Sequence, residues 1–413
     1  MNLARIVQKY GGTSVGTVER IQHVAKRIEQ AQRKGEELVV VVSAMGKSTD
    51  QLLQLANELT DNPTKREMDM LLSTGEQVTI SLLTMALQQR GLEAISFTGW
   101  QAGIQTDSHH GNAQIAHIDT VRMEAELRLG KVVIVAGFQG LSEDAQITTL
   151  GRGGSDTTAV ALAAALDAER CEIYTDVTGV YTTDPRYVKT ARKLHSISYD
   201  EMLEMAQLGA GVLHPRAVEF AKNYDVALLV ASSMVEEEGT LIEEEVSMEK
   251  GLIVRGIAFE NDVTKVTVAG LPNEMNTLAK LFSTLSRHFI NVDIIVQNET
   301  DAEHVTISFT VTQSTLKDTL VALEKAQNDL KYENVQYETG LAKVSIVGSG
   351  MVSNPGVAAQ MFDVLAEEGI AIKMVSTSEI KVSTVVSEDD MVLAVEALHE
   401  AFKLAEELVE PAV

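Results

Sequence analysis

A chain of 413 residues predicts two or three domains of roughly 150 residues each and excludes a single small module. With 45% hydrophobic and 23% charged residues it reads as globular, while 34 Lys and Arg against 59 Asp and Glu leave a net charge of −25, which argues against wrapping nucleic acid. Any anionic ligand must therefore be held by local cations and backbone N–H groups. The one cysteine, Cys171, excludes an internal disulfide. A cytoplasmic setting without a membrane role is expected: no secretory pattern opens the chain, and the apolar runs Leu38 to Ala44 and Val132 to Gly137 are too short to span a bilayer.

In chain order, short apolar runs alternate with amphipathic stretches, the pattern of parallel strands joined by crossover helices. Arg5 to Tyr10 reads as a strand broken by Gly11 and Gly12. Val18, Ile21, Val24, Ile28 and Ala31 then recur at helical spacing up to Gly35. Leu38 to Ser43, with four consecutive valines, reads as a strand buried on both faces. A long helical region from about Lys65 to Arg90 precedes a strand at Leu92 to Phe97. Val132 to Phe138 and Glu172 to Asp176 complete a sheet core around an alanine-rich helix from Ser155 to Ala168. The expected class is α/β, a mainly parallel sheet between helix layers.

Glutamates 236, 237, 238, 243, 244, 245 and 249 crowd one stretch, which reads as a solvated connector and sets a boundary near 245 to 251. Beyond it the chain repeats itself. Lys265-Val-Thr-Val-Ala-Gly, Leu281-Phe282 and Ile290-Asn-Val-Asp match Lys343-Val-Ser-Ile-Val-Gly, Met361-Phe362 and Ile370-Ala-Ile-Lys at an offset of about 78 to 80 residues. Strands at Thr306 to Thr312 and Lys381 to Ser387 and helices at Leu316 to Ala326 and Met391 to Phe402 complete two β-α-β-β-α-β units, each a small α+β sheet with helices on one face. The expected division is 1–245, 252–330 and 338–405.

Two stretches carry chemistry. Lys9-Tyr-Gly-Gly-Thr-Ser-Val-Gly places glycines, a point charge and hydroxyls before a helix, which suits phosphate; a plain glycine turn between strand and helix fits it too. Gly151-Arg-Gly-Gly-Ser-Asp-Thr-Thr carries both signs, Arg152 for a carboxylate and Asp156 for an ammonium, and so suits a zwitterionic amino acid; a helix capped by Ser155 or Asp156 is the other reading. Familiar nucleotide signatures fail. Gly46-Lys47-Ser48 has Val41 where a P-loop needs glycine, and the Gly348 to Ser353 stretch lacks the third glycine of a dinucleotide fingerprint. His109 and His110 have no second ligand cluster at metal spacing and read as surface-loop residues, so no protein-held metal is expected.

With Val42-Ser-Ala-Met-Gly, Met70-Leu-Leu-Ser-Thr-Gly-Glu-Gln and Tyr174-Thr-Asp-Val-Thr-Gly-Val-Tyr-Thr-Thr-Asp-Pro-Arg added in order, the chain resembles, nearly end to end, the monofunctional aspartate kinases of the amino-acid-kinase superfamily, in particular the lysine-sensitive Bacillus type. The repeat is similar to their paired, ferredoxin-like ACT domains. The resemblance implies ATP-dependent phosphorylation of the L-aspartate β-carboxylate to 4-phospho-L-aspartate, with Mg²⁺. That is the first step toward lysine, threonine and methionine, feedback-inhibited by an end product, lysine foremost. Physical chemistry agrees: a carboxylate with a pKa of about 3.9 is already ionised and needs no catalytic base.

By residue, the resemblance assigns Lys9, Tyr10, Gly11, Gly12 and Ser14 to the phosphates, with Ser43 near them. Thr49, Glu76, Arg152, Gly153, Gly154, Ser155 and Asp156 would hold aspartate, and Lys9, Arg152 and Asp156 would carry catalysis. Thr175, Asp176, Tyr181, Asp184 and Arg186 would line the nucleotide pocket. Gly211 stands where some relatives carry a nucleotide-contacting Lys, with Arg216 or Lys222 as a stand-in base.

In the regulatory half the resemblance points to Asn273, Asn291, Val292, Asp293 and Gln297, and in the second copy to Gly356, Val357, Ala371, Ile372, Thr377 and Ser378, as cradles for lysine or threonine. Asp293 would neutralise an effector ammonium; the second copy has Lys373 there. Leu252 to Phe259 would lend a strand to the second unit. The implied assembly is a homo-oligomer through the ACT domains, or a heterotetramer with a separately translated regulatory subunit starting near Met248. Three other readings stay open: another carboxylate or phosphate kinase such as acetylglutamate or uridylate kinase, an amino-acid sensor with an inert kinase half, or purely dimerising C-terminal modules.

Overall fold

A computed structural model describes residues 4–208, 212–244 and 252–406. Gly211, Met248 and the expected boundary at 245 to 251 lie outside the described residues. The chain forms two compact units, the first holding 4–181, 193–207 and 212–244, the second 182–192, Leu208 and 252–406.

The first unit is built on an eight-stranded sheet, in the order Ser196–Ser198, Thr240–Glu243, Leu228–Ser232, Arg170–Thr175, Arg5–Tyr10, Glu37–Val42, Val132–Ala136, Ala94–Phe97. Its six strands from Leu228–Ser232 to Ala94–Phe97 are parallel. The valine run explains the centre, since Val39 to Val42 are all at 0% exposure and stiff branched side chains pack well on a pleated surface. Helices α1 (Val18–Arg33) and α4 (Thr74–Gln89) cover one face through Ile21, Val24, Ile28, Ile80, Leu83 and Leu87. Short helices α2 (Ser48–Leu59) and α3 (Lys65–Leu72) lead into α4, and α3 and α4 meet at Ser73 within the expected helical region. Helix α5 (Val121–Arg128) precedes the Val132–Ala136 strand. On the other face lies α6 (Gly154–Ala165), whose alanines let it approach closely, followed by α7 (Tyr199–Gln207) and α8 (Pro215–Asn223).

Two features differ from the sequence reading. The strand expected to run to Phe138 ends at Ala136, and Phe138 turns the chain away with a φ of 71°. The chain then enters a four-stranded sheet, Ile115–Ile118, Ile104–Thr106, Gln139–Ser142 and Ile147–Thr149, whose three- and four-residue strands are too short for their period to show in sequence. Among the described residues, Lys65–Gln89 is the one helical run long and apolar enough to cross a membrane by length and composition, and its buried side packs in the core.

The second unit is a single antiparallel sheet, in the order Ile295–Glu299, His304–Thr312, Gly256–Pro272, Asn334–Val347, Lys381–Ser387, Met374–Thr377. The two repeats are fused rather than merely packed, because the 17-residue strand Gly256–Pro272 and the 14-residue strand Asn334–Val347 are long enough to serve both. Gly256 to Glu260 pair with Val347 to Lys343 of the second repeat, and after a register shift Val263 to Pro272 pair with the first repeat's own strand. Each repeat keeps its own core, Leu281, Leu285, Phe309 and Leu323 in the first and Met361, Leu365, Val395 and Leu398 in the second. Segment 182–192 packs here too: Val188 is buried with Ile257 and Val344, and Tyr187 meets the edge of Phe259 at 5.1 Å.

Candidate active site

Alternation along Arg5–Tyr10 sends Tyr10 into the α1 face and Lys9 to the α6 face. The Lys9 ammonium, on a residue only 9% exposed, lies 2.6 Å from Asp156 Oδ1 in the first turn of α6, an ion pair whose angle falls outside hydrogen-bond geometry. A helix N-terminus favours a carboxylate at that position. This contact joins the two glycine-rich stretches: the end of the strand before the first glycine turn meets the first turn of the helix after the second.

Both turns need their glycines. A Cβ on Gly12 would stand 2.9 Å from the Ala44 carbonyl, and one on Gly11 3.3 Å from Lys9 Nζ. Gly46 N–H donates to the Gly12 carbonyl at 3.0 Å, so the turns after the first and second strands interlock. Arg152 sits between Gly151 and Gly153 with φ of 76° and 67°, left-handed backbone that glycine adopts without steric cost. The Arg152 side chain is exposed and makes no ion pair among the described residues. Gly154 packs on Phe138 and Leu150, and buried Ser155 fills the space beside Gly137.

Glu76 opens α4 and is 3% exposed; its Oε1 accepts from Ala44 N–H at 3.1 Å, while Oε2 has no hydrogen-bond partner among the described residues. Burial pushes its pKa up to about 7, against the pull of hydrogen bonds from its own and the Ala44 N–H. A buried oxygen of this kind can accept from an ammonium. Thr49, half-buried, stands in the first turn of α2 just past the same Ala44 to Gly46 turn.

The remaining residues assigned by resemblance divide. Ser14 is buried, its hydroxyl donating to Ser233 Oγ at 2.7 Å, and Ser233 in turn donates to the Thr175 carbonyl at 3.1 Å. Ser43 N–H donates to the Tyr10 carbonyl. The Tyr10 ring is fully buried and stacked on Tyr174 at 4.8 Å, so only its main chain can face a phosphate. Thr175 donates to Asp176 at 3.1 Å, and Tyr181 shares a 2.7 Å hydrogen bond with Thr178, all in the connector following Arg170–Thr175. Asp184 and Arg186 belong to the second unit, where the guanidinium sits bidentately on the carboxylate and holds its pKa below the usual range. Both suggested stand-in bases have protein partners in the structure. Arg216 donates to the Leu150 and Ala113 carbonyls at 2.9 and 2.8 Å, and Lys222 pairs with Asp200 at 2.6 Å.

Sequence reasoning missed His214. It caps α8, its Nδ1 accepting from Arg216 N–H at 3.3 Å, and a Cβ on Gly153 would lie 2.2 Å from its side chain. Burial lowers its pKa, which favours the neutral imidazole beside Arg152 and Asp156. The signal was a His directly before a proline at a helix start. Among the described residues no three His, Cys, Asp or Glu side chains cluster as a metal site. A separate open cleft of about 640 Å³, lined by Gln8, Arg27, Arg170 and Glu172 among others, lies on the α1 face, away from Lys9; its charges pair with one another, as Arg170 does with Glu172 at 2.7 Å.

In the second unit the effector residues assigned by resemblance to the first copy are spread along one strand. Asn273 N–H donates to the Glu303 carbonyl at one end of His304–Thr312, and Asp293 N–H to Thr310 near the other, roughly 20 Å apart along the strand. Asn291 and Val292 lie with Asp293, and Gln297 pairs with Ile307 in mid-strand. In the second copy Thr377 pairs with Val382 and Ser378 N–H donates to the Lys381 carbonyl, while Ala371 and Ile372 sit near Val385, and Gly356 and Val357 open a helix. The Asp293 carboxylate accepts from the nearly buried Lys343 ammonium, which also pairs with Glu260 at 2.7 Å; Lys373 pairs with Glu338 at 2.7 Å.

Comparison with known proteins follows the same division. The Amino acid kinase family profile matches residues 4–232, and the ACT domain profile residues 266–327 and 344–402. The chain is 66% identical to an aspartokinase of Bacillus sp. (strain MGA3) over 400 residues, covering 97% of each. Among solved structures, E. coli aspartokinase III in complex with aspartate and ADP, in the R-state, is 29% identical at a TM-score of 0.80, covering 96% of this chain and 99% of that one. The same E. coli protein with lysine and aspartate, in the T-state, is 28% identical at a TM-score of 0.76, with 96% and 99% coverage. With two thirds of the residues shared over nearly the whole length, and Lys9 and Asp156 joining the two glycine turns, the chain belongs to the amino acid kinase family and, within it, to the aspartokinases.

Proposed function

We propose that this aspartokinase transfers the γ-phosphoryl of ATP to the β-carboxylate of L-aspartate, giving 4-phospho-L-aspartate and ADP, and that lysine binding to its C-terminal half lowers the rate. The observation that carries the reading is the Lys9–Asp156 contact at 2.6 Å, which brings a phosphate-type turn and an amino-acid-type turn to one place. The aspartate and ADP bound by the E. coli relative support the substrates, and its lysine complex supports the effector.

In the proposed reaction an oxygen of the ionised β-carboxylate attacks the γ-phosphorus, and the bond to the bridging oxygen of the β-phosphate breaks. The protein's contribution is position and charge. Arg152 takes the α-carboxylate bidentately, and Glu76, ionising as it meets a cation, takes the α-ammonium. Lys9 then faces the spreading charge on the phosphoryl group, held in place by Asp156. Asp156 would help hold a Mg²⁺ carried by the nucleotide, as oxygen donors suit that ion, and the ion would neutralise phosphate charge. Thr175, Asp176, Tyr181, Asp184 and Arg186 are proposed nucleotide contacts.

Asp293 and its neighbours form half of an effector cradle, and the separation of Asn273 from Asp293 along one strand supports completion of that cradle by another copy. Homo-oligomer and heterotetramer with a subunit starting near Met248 are the two assemblies consistent with this. A cytoplasmic location fits a supply of ATP and free amino acids. Coupled detection of ADP with Mg²⁺, ATP and aspartate tests the catalytic reading. Turnover with acetylglutamate or UMP and none with aspartate would overturn it, and lysine binding without any turnover would favour the sensor reading. Mass measurement of the protein from its native gene separates the two assemblies.

A further inference from the structure

The sequence reading leaves His110 as a surface-loop residue, and the proposed chemistry makes no use of it. In the structure its Nδ1 lies 2.7 Å from Asp69 Oδ2, and its side chain is 20% exposed. Asp69, in α3, is 1% exposed and also accepts from Gly111 N–H at 3.1 Å and from the Thr149 hydroxyl at 2.5 Å. Aspartate is a poor helix former, so helix propensity does not explain it there. A charge this deeply buried needs such donors to offset its desolvation, and here they come from two segments far from α3 in sequence.

Those segments hold the turn that carries Arg152. Thr149 ends the strand leading into Gly151, and its carbonyl accepts from Ala113 N–H at 2.9 Å. The Gly111 carbonyl and Asn112 Oδ1 stand 3.1 and 3.0 Å from where a Cβ on Gly151 would be, so the 110–112 loop forms one wall of the turn. Arg216 ties Leu150 and Ala113 together from the far side. Arg152 itself is exposed, without an ion pair among the described residues, and flanked by two glycines of positive φ. Such a turn has the most conformational freedom to lose, and its side chain points where the neighbouring backbone puts it.

We propose that Asp69 is a positioning residue for the kinase reaction: a buried carboxylate that touches no substrate, but fixes the Gly151–Gly153 turn so that Arg152 meets the α-carboxylate of the amino-acid substrate. The proposal rests on Arg152 being that carboxylate's partner. It assigns the Asp69, His110 and Thr149 network to substrate geometry as well as to folding.

The test is steady-state kinetics on the full-length enzyme with ATP, Mg²⁺ and aspartate. Asp69→Asn keeps the shape and removes the charge. It should raise KM for aspartate about tenfold or more, with KM for ATP changed by less than about twofold, since a displacement of an ångström remote from the chemistry costs up to about a hundredfold. Thr149→Val should move the same constant in the same direction, and Thr149→Ser, which restores the hydroxyl, should bring it back; this pair keeps the question open to measurement if Asp69→Asn fails to fold. In the double variant Asp69→Asn with Arg152→Ala, KM for aspartate should equal that of Arg152→Ala alone, because the positioned group is gone. Equal increases in both KM values, a lowered melting temperature with unchanged KM, or multiplicative effects in the double variant would each overturn the role of Asp69. An Arg152→Ala enzyme with unaltered KM for aspartate would instead remove the carboxylate reading beneath it.

Discussion

Lys9 and Asp156, 147 positions apart in sequence, lie 2.6 Å apart with only 11% and 13% of their side chains exposed. The chain thus places the Lys9 ammonium, the proposed phosphate contact, against the first turn of α6, which directly follows Arg152 and Gly153. Replacing Lys9 by Met should lower kcat by about a hundredfold or more, the cost typical of losing one preorganised donor. It should also reduce stability by about 3 kcal/mol, because Asp156 loses its partner. Comparison of kcat and of the urea midpoint with the double variant Lys9→Met, Asp156→Asn checks both: the double variant should regain stability and no activity.

Arg152→Ala separates binding from folding. An exposed side chain without an ion pair among the described residues contributes little to the native state, so stability should stay within about 0.5 kcal/mol. KM for aspartate should rise by about ten- to a hundredfold, as for loss of a charge-assisted bidentate contact. Unchanged kinetics would assign the α-carboxylate to another group.

Glu76 should make the free enzyme pH-sensitive. Its carboxyl titrates near 7 when folded, above its ordinary value of 4.5, so the folded state holds a proton that the unfolded chain has released between those two pH values. Stability should therefore fall as pH rises from about 4.5 to about 7, by about 3 kcal/mol in all, and then level off. Glu76→Gln should remove this loss while raising KM for aspartate. Thermal melts of both proteins from pH 5 to 8 without substrates provide the comparison, and parallel curves would show that Glu76 ionises normally.

Asp293 and Lys373 occupy matching positions of the two repeats with opposite charge, and each already holds an ion-pair partner, Lys343 and Glu338. If the first position receives the effector's ammonium, Asp293→Ala should raise the lysine concentration for half-inhibition at least about tenfold, the effect of removing one charged contact. Lys373→Ala should leave it within about twofold. Equal shifts in the two variants would show that the two repeats bind lysine alike.

Much of the kinase half was legible in the residues. Val39 to Val42 announced a central strand because burial on both faces demands an unbroken apolar run, and Arg5 to Tyr10 ended where Gly11 and Gly12 end it. The repeat of Lys265-Val-Thr-Val and Lys343-Val-Ser-Ile showed two related units. It could not show their fusion into one sheet, since that depends on which partner each half of Gly256–Pro272 chooses after a register shift. The assignment of Asp184 and Arg186 to the same body as the phosphate turns followed their sequence neighbours, whereas Val188 and Tyr187 pack the segment into the second unit.

By itself the amino-acid order determined the local grammar: the strand and helix periods, the glycines that permit Arg152 its turn, and the residue types suited to phosphate and to a zwitterion. Tertiary structure alone decided which of these groups meet. The Lys9–Asp156 pair, the Glu76 carboxylate on the Ala44 N–H, the His214 imidazole against Gly153 and the donors converging on Asp69 all join segments distant in sequence. Periodicity reports which face a residue takes, but contact across the fold depends on how strands are ordered and how closely helices approach them, and no single segment encodes that.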